Sequence, residues 1–128
     1  MKLLLDTHAL YWWMIEERRL SLKARKAMKS RATEILVSPA SAYEIAYKHR
    51  AGQLPKAGAL VMNFDAELAE EGFVSLPISM EHGRRAGELA DEHGDPFDRM
   101  LAAQAICEDI AILSDDEKLS ALGAKRVW

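Results

Sequence analysis

The chain opens with the stretch MKLLLDTH at residues 1–8, in which a short apolar run leads directly to a carboxylate, Asp6. The run has no helical spacing and is typical of a strand whose two faces are both covered by helices. The carboxyl end of such a strand is where ligands of open α/β sheets bind. The stretch therefore predicts a buried strand that delivers Asp6 to a functional site, with helix capping as the alternative role for this carboxylate.

Short strands and helices alternate along the rest of the chain. The alternation predicts an α/β fold in three layers, with a central, mostly parallel sheet of four to five short strands flanked by helices, in a single domain over residues 1–128. The expected strands lie at about 2–5, 34–37, 73–76, 110–113 and 125–128, and the expected helices at about 10–15, 21–31, 38–50, 57–71, 79–92 and 95–108.

Composition narrows the class of protein. With 128 residues, of which 49% are hydrophobic, the chain has the size and composition of one globular domain. No apolar stretch reaches the roughly 18 residues of a membrane span, and Asp6 and His8 interrupt the apolar start that a signal peptide would need. We therefore expect a cytoplasmic protein. The single cysteine, Cys107, is expected to be a buried structural thiol.

Charge is distributed unevenly. The formal net charge of −3 argues weakly against non-specific binding to nucleic acid, yet residues 18–31 contain seven basic side chains and no acid. A solvated helix face explains such a run, and a patch that attracts phosphates or an acidic partner is the alternative.

Acidic residues recur where the predicted strands end and the helices beside them begin. Because parallel strands place their carboxyl ends at one edge, acids from four separate segments can converge there. Clustered carboxylates repel one another unless a cation compensates them, and oxygen-only ligands suit Mg²⁺ or Mn²⁺. Such a site supports hydrolysis of a phosphodiester. The acids are Asp6, Glu44, Asp95, Asp98, Asp115 and Asp116.

Each acid also has a structural explanation. Glu44 could complete a capping box with Ser41 or pair with Lys48 four residues on. Asp95 and Asp98 stand at the start of a predicted helix, where its dipole favours negative charge. Asp115 and Asp116 could cap the last short helix.

Four successive motifs occur in order between residues 3 and 116. They are Asp6-Thr7-His8-Ala9-Leu10 followed by Trp12 and Trp13, then Ser38-x-x-Ser41-x-x-Glu44-x-x-x-Lys48, then His93-x-Asp95-Pro96-Phe97-Asp98-Arg99, and last Leu113-Ser114-x-Asp116. With these motifs the chain resembles PIN-domain proteins, and most of all the VapC toxin branch of type II toxin–antitoxin modules. The segment from His93 to Arg99 is the most specific part of the resemblance.

The resemblance implies a PIN-like fold and a Mg²⁺- or Mn²⁺-dependent endoribonuclease. It further implies a homodimer and neutralisation by a cognate antitoxin encoded beside it. Carried over residue by residue, it implies that the catalytic, metal-holding acids are Asp6, Glu44, Asp98 and Asp116. Ser114 stands where the family usually has Thr, so a hydroxyl is kept at that position.

Five further residues beside the acids could serve the site. Lys48 and Arg99 could contact the scissile phosphate or balance the charge of the acids. Thr7 and Ser114 could hydrogen-bond a carboxylate or cap a helix, and Asp95 could cap its helix and orient Arg99.

Two other readings of the site remain. His93 and Asp95 form a His-x-Asp pair, but a histidine-based metal site would need more nitrogen or sulfur ligands. A non-catalytic α/β binding module could hold a structural ion and use the segment around Tyr11, Trp12 and Trp13 for protein contacts. That apolar segment exceeds what one helix face can bury, so part of it is expected to stay exposed unless a second copy or an antitoxin covers it.

Overall fold

The centre of the fold is a parallel sheet of five short strands, as a computed structural model describes it for residues 1–90 and 94–128. All strand pairs in this part of the chain are parallel, and the order across the sheet is β3-β2-β1-β4-β5. The three-layer α/β prediction is confirmed, although the third and fifth strands are shorter than expected. The strands are β1 (Lys2–Leu5), β2 (Glu34–Val37), β3 (Val74–Ser75), β4 (Ala111–Leu113) and β5 (Arg126–Val127).

The two faces of the sheet carry separate hydrophobic cores. Side chains alternate in direction along a strand, so Leu3 and Leu5 of β1 join one core while Leu4 joins the other. The register pairs Leu4 with Leu36 of β2 and with Ile112 of β4, which places these three leucine and isoleucine side chains on the same face. Burial on both faces explains why β1 has no polar residue between its first residue and Asp6.

Helices cover both faces of the sheet, and several begin at a residue whose side chain caps the helix. Asp6, Ser21, Ser38, Ser79, Asp95 and Asp116 accept hydrogen bonds from the first turns of their helices. In the part of the chain described, no helix combines the length and apolarity that crossing a membrane requires. The helices are α1 (Thr7–Ile15), α2 (Leu22–Lys29), α3 (Pro39–Arg50), α4 (Gly58–Met62), α5 (Phe64–Glu71), α6 (Met80–Glu88), α7 (Pro96–Glu108) and α8 (Glu117–Ala121).

Two helices differ in structure from the sequence prediction by more than a shift of two or three residues at one end. The single helix expected over 57–71 is broken at Asn63, whose backbone leaves the helical region and joins α4 to α5. The helix expected to reach residue 92 ends at Glu88, because the Leu89 backbone leaves the helical region at ψ 132°. The Arg99 guanidinium binds the carbonyl oxygens of Ala86 and Leu89 at 3.0 and 2.9 Å. Residues 91–93 lie outside the described part of the chain.

The apolar segment at the end of α1 is more buried than its high density of apolar residues suggests. Tyr11 is buried in the core, so it is not available to the exposed part that was expected of this segment. Trp12, Trp13 and Met14 are half-buried and pack against the same core. The Trp13 indole N–H also donates to Glu71 at 3.2 Å, which ties α1 to the end of α5.

The chain reverses its direction across the sheet at β1. From β1 it moves to β2 and then outward to β3, and it returns to the other side of β1 as β4. The carboxyl ends of β1 and β4 therefore form the switch point where open parallel sheets bind ligands. The Asp6 backbone N–H donates to the Leu113 carbonyl oxygen at 3.1 Å, which fixes Asp6 beside the end of β4.

Candidate active site

A cavity of about 150 Å³ opens at this switch point. All four of the acids predicted to hold a metal line it, so the structure brings them together as the strand order requires. We call it the acidic cavity. Five carboxylates and two lysines are among its described lining residues, which are Asp6, Thr7, His8, Glu44, Lys48, Asp95, Asp98, Asp116 and Lys118.

Asp6 is the most buried of these acids. It follows β1 in an extended conformation, and one of its carboxylate oxygens accepts the Ala9 N–H at 2.7 Å. The residue is only 5% exposed. One carboxylate thus caps α1 and also lines the cavity, so the two roles considered for Asp6 are compatible.

Burial raises the pKa of Asp6 from 3.8 to about 6. Desolvation is the largest cause, because it penalises the charged form. Hydrogen bonds from the Ser114 hydroxyl and the Ala9 N–H, and the nearby His8, act in the opposite direction, while the neighbouring Asp115 raises the pKa further. At neutral pH, Asp6 is therefore ionised at a free-energy cost that a bound cation would offset.

Glu44 enters the cavity from α3 and forms an ion pair with Lys48. The Lys48 Nζ lies 2.6 Å from Glu44 Oε2, one helical turn away, and the Glu44 side chain is 10% exposed. The capping-box reading of Glu44 is wrong, because α3 is capped by Ser38 and not by Ser41. The Thr7 hydroxyl instead donates to Ser41 Oγ at 3.1 Å and joins α1 to α3 beneath the cavity.

Asp95 and Asp98 reach the cavity from the start of α7. An Asp95 carboxylate oxygen accepts the N–H groups of Phe97 and Asp98 at 2.9 and 3.4 Å, so Asp95 is a helix cap that also lines the cavity. Arg99 points elsewhere, since its guanidinium binds the carbonyl oxygens at the end of α6. These contacts anchor α6 against α7. His93, singled out as half of a His-x-Asp pair, lies outside the described residues.

Asp116 completes the cavity from the loop after β4. Its carboxylate accepts the Lys118 N–H at 3.0 Å and caps α8, as one reading of the sequence anticipated. Ser114 is fully buried, and its hydroxyl oxygen accepts the Asp116 N–H at 3.0 Å while its proton is directed to Asp6. Ser114 therefore connects the two acids that follow adjacent strands.

Two lining residues were not identified from the sequence. His8 was given no role at the site, although its place next to Asp6 within the first motif signals a position at the cavity. Lys118 lies two residues after Asp116, in the first turn of α8. This short distance in sequence from a predicted site acid could have indicated that Lys118 lines the cavity.

The donor set fits a hard divalent cation. Carboxylate oxygens are the ligands that Mg²⁺ and Mn²⁺ prefer, and the buried Asp6 carries an ionisation cost that such an ion would lower. Within residues 1–90 and 94–128, no three Asp, Glu, His or Cys side chains stand in a ready-made metal-holding group. Helix N–H groups hold Asp6, Asp95 and Asp116, and Lys48 holds Glu44, so ion binding requires some of these carboxylates to turn toward one another.

The comparisons with known proteins identify the family. The model of the PIN domain matches residues 3–125. The chain belongs to the PIN-domain family. It is also 32% identical over 117 residues to the protein named Ribonuclease VapC22 of Mycobacterium tuberculosis, a match that covers 91% of this chain and 88% of that protein. The predicted resemblance to VapC-type PIN domains is confirmed.

Solved structures of low sequence identity share the fold. VapBC-1 of nontypeable Haemophilus influenzae aligns with a TM-score of 0.70 at 15% identity, covering 99% of this chain and 97% of that one. A toxin–antitoxin complex from Klebsiella pneumoniae aligns with a TM-score of 0.66 at 18% identity, covering 98% of this chain and 96% of that one. The PIN-like architecture is therefore shown by structure as well as by sequence.

The raised pKa of Asp6 gives a test by stability. Between about pH 4 and pH 6 the folded chain binds more protons at Asp6 than the unfolded chain, so the free energy of unfolding falls as pH rises through this window. A difference of about two pH units corresponds to about 3 kcal/mol. Urea unfolding in EDTA measures the effect. Between pH 4 and pH 7, the free energy of unfolding of the wild type should fall by up to about 3 kcal/mol relative to that of Asp6→Asn.

The exposed Glu70 on α5 provides the matched control, because Glu70→Gln also removes one carboxylate. The free energy of unfolding of Glu70→Gln should have the same pH dependence as that of the wild type. If the free energy of unfolding had the same pH dependence in the wild type and in Asp6→Asn, burial would not raise the pKa of Asp6.

Proposed function

We propose that this chain is a single PIN domain acting in the cytoplasm as a Mg²⁺- or Mn²⁺-dependent endoribonuclease of the VapC type, which hydrolyses RNA phosphodiester bonds. The observation that carries the proposal is the convergence of Asp6, Glu44, Asp98 and Asp116 on one cavity at the switch point of the sheet. The relative named Ribonuclease VapC22 supports the choice of RNA as the substrate.

Four acids would hold the cation. Asp6 is fixed by the Ala9 N–H and by Ser114, and thus gives a preorganised ligand. Glu44, Asp98 and Asp116 approach from α3, α7 and the loop after β4. A bound Mg²⁺ or Mn²⁺ would neutralise charge on the phosphate and activate water as the nucleophile.

The two lysines of the acidic cavity attract the substrate. Lys48 neutralises Glu44 in the structure, and its Nζ can move to a phosphate oxygen when Glu44 turns to a cation. Lys118 adds a second positive charge at the start of α8. Both side chains oppose the repulsion that five carboxylates exert on a polyanion.

Other predicted residues position the acids. Thr7 joins α1 to α3 through Ser41, and Ser114 links Asp6 to Asp116. Arg99 fixes the end of α6 beside the start of α7, where Asp95 and Asp98 lie. We assign Arg99 this positioning role in place of contact with the scissile phosphate.

The protein partners follow from the same family. We propose a homodimer that is held inactive by a cognate antitoxin. The structural likeness to a toxin–antitoxin complex from Klebsiella pneumoniae supports such a partner. An antitoxin segment that places an Arg or Lys side chain in the acidic cavity would compete with the cation for the carboxylates.

Removal of single acids tests the nuclease proposal. Asp6→Asn and Asp98→Asn keep the side-chain shape and remove one charge each. We expect either change to reduce cleavage of single-stranded RNA in Mg²⁺ or Mn²⁺ at least 100-fold while circular dichroism shows a folded protein. Glu70→Gln should cleave as the wild type does. Full cleavage by a folded Asp6→Asn protein would refute the site assignment.

Thermal unfolding tests cation binding without an activity assay. A ligand at ten times its dissociation constant stabilises the folded state by about 1.4 kcal/mol. Mg²⁺ or Mn²⁺ should therefore raise the melting temperature of the wild type. The variant that combines Asp6→Asn, Glu44→Gln, Asp98→Asn and Asp116→Asn should show no rise. An equal rise in both proteins would place the ion elsewhere.

A further inference from the structure

A second cavity lies directly beside the acidic cavity. It has a volume of about 430 Å³ and is lined by His8, Trp12, Arg19, Asp115 and Asp116. We call it the aromatic groove. His8 and Asp116 line both cavities, so the two form one continuous surface. An RNA chain with its phosphate at the carboxylates would therefore have a neighbouring nucleotide within reach of the groove.

Planar groups form the wall of the groove. His8 and Trp12 are four residues apart on α1 and lie on one face of the helix, with ring centroids 5.6 Å apart and planes inclined by 32°. The Arg19 guanidinium carbon lies 4.9 Å from the centre of the Trp12 ring. Trp12 also contacts Trp128, at 5.8 Å between ring centroids, and this packing holds the indole in place.

This wall has the chemistry of a nucleotide site. Bases stack on aromatic rings and on guanidinium planes, and such contacts stabilise the binding of a single strand. Arg19 adds a cation that can meet a phosphate oxygen. Its ion pair with Glu16 is 3.7 Å long and the Arg19 side chain is 57% exposed, so the ion pair contributes little to stability and opposes the movement of Arg19 only weakly. An apolar peptide in the groove would offer no charged or hydrogen-bonding partner to Arg19, Asp115 and Asp116.

We infer that the aromatic groove binds one unpaired nucleobase of the substrate RNA, next to the cleaved phosphate, by stacking on Trp12 and Arg19. This inference rests on the proposed ribonuclease function and adds a residue-level basis for substrate choice. The groove selects single-stranded RNA, because a base within a duplex cannot present its face to a protein ring.

Asp115 gives the groove a preference among the bases. Its side chain is exposed and lines the groove, and it is not among the described residues that line the acidic cavity. A carboxylate only accepts hydrogen bonds. On its Watson–Crick edge, guanine presents two adjacent donors, N1–H and N2–H, which match the two carboxylate oxygens. Each of the other bases presents a single donor group on this edge. The groove therefore favours guanine.

Cleavage of a single-stranded RNA library with randomised positions tests the inference. Fragment-end sequencing in Mg²⁺ should show guanine enriched at one fixed position beside the cut. Asp115→Asn should lower that enrichment at least fivefold, while Mg²⁺ or Mn²⁺ should still raise the melting temperature of this variant. Glu117→Gln, which removes an exposed carboxylate two residues on, should keep the wild-type preference.

The stacking wall is tested by the kinetics of a single preferred oligonucleotide. Arg19→Gln and Trp12→Leu should raise KM at least fivefold with a smaller change in kcat, because both groups act in binding. Arg18→Gln is the matched control, since Arg18 is the exposed neighbour of Arg19 and does not line the groove. If Trp12→Leu is unstable, the Arg19 and Asp115 variants decide the result.

The outcomes separate this inference from the proposed function. If the wild type cleaves RNA but the Asp115 and Arg19 variants keep its sequence preference and KM, the groove assignment is wrong and the nuclease assignment stands. If these variants cleave normally but escape neutralisation by the antitoxin, the groove belongs to that protein and the RNA assignment is overturned. If the wild type cleaves no RNA, both proposals fail.

Discussion

A buried carboxylate at the end of the central strand is the constraint on which the rest of this structure depends. Asp6 is 5% exposed and lies among other acids, so its ionised form is disfavoured both by desolvation and by Asp115. The fold offsets part of this cost with hydrogen bonds from the Ala9 N–H and the Ser114 hydroxyl. The remaining negative charge is confined to the cavity and is not compensated. A cation that binds there would therefore lower the electrostatic free energy of the folded protein.

Topology concentrates this charge at one point. β1 lies in the middle of the sheet, and the chain passes to its two sides in turn, so the ends of β1 and β4 open toward the same space. Capping residues are naturally placed there, because a helix begins just after each strand. Asp6 and Asp116 act as helix caps and as cavity acids at once. The same carboxylates therefore cap two helices and line the proposed cation site.

The sequence predicted the features that depend on local pattern. The apolar runs located β1 and β2, and the Ser38-Pro39 and Asp95-Pro96 pairs located the starts of α3 and α7. The motifs located the acids that line the cavity. The break at Asn63 was missed because the apolar pattern continues across it.

Features that depend on packing between distant segments could not be read from the pattern. Arg99 is adjacent to Asp98 in sequence, yet its guanidinium is drawn to carbonyl oxygens at the end of α6. Tyr11 lies in the same apolar run as Trp12 but is buried, because the sheet covers its side of α1. The groove that joins Trp12 to Arg19 and Asp115 exists only once the loop after β4 is placed beside α1.

Crystals grown with Mn²⁺ would give the most direct measurement, because the anomalous scattering of this ion locates it independently of any assay. The arrangement of carboxylates described here predicts an anomalous peak between Asp6, Glu44, Asp98 and Asp116, with the Lys48 Nζ moved away from Glu44. A peak at another site, or no peak at a Mn²⁺ concentration that stabilises the protein, would contradict the assignment of this cavity as the cation site.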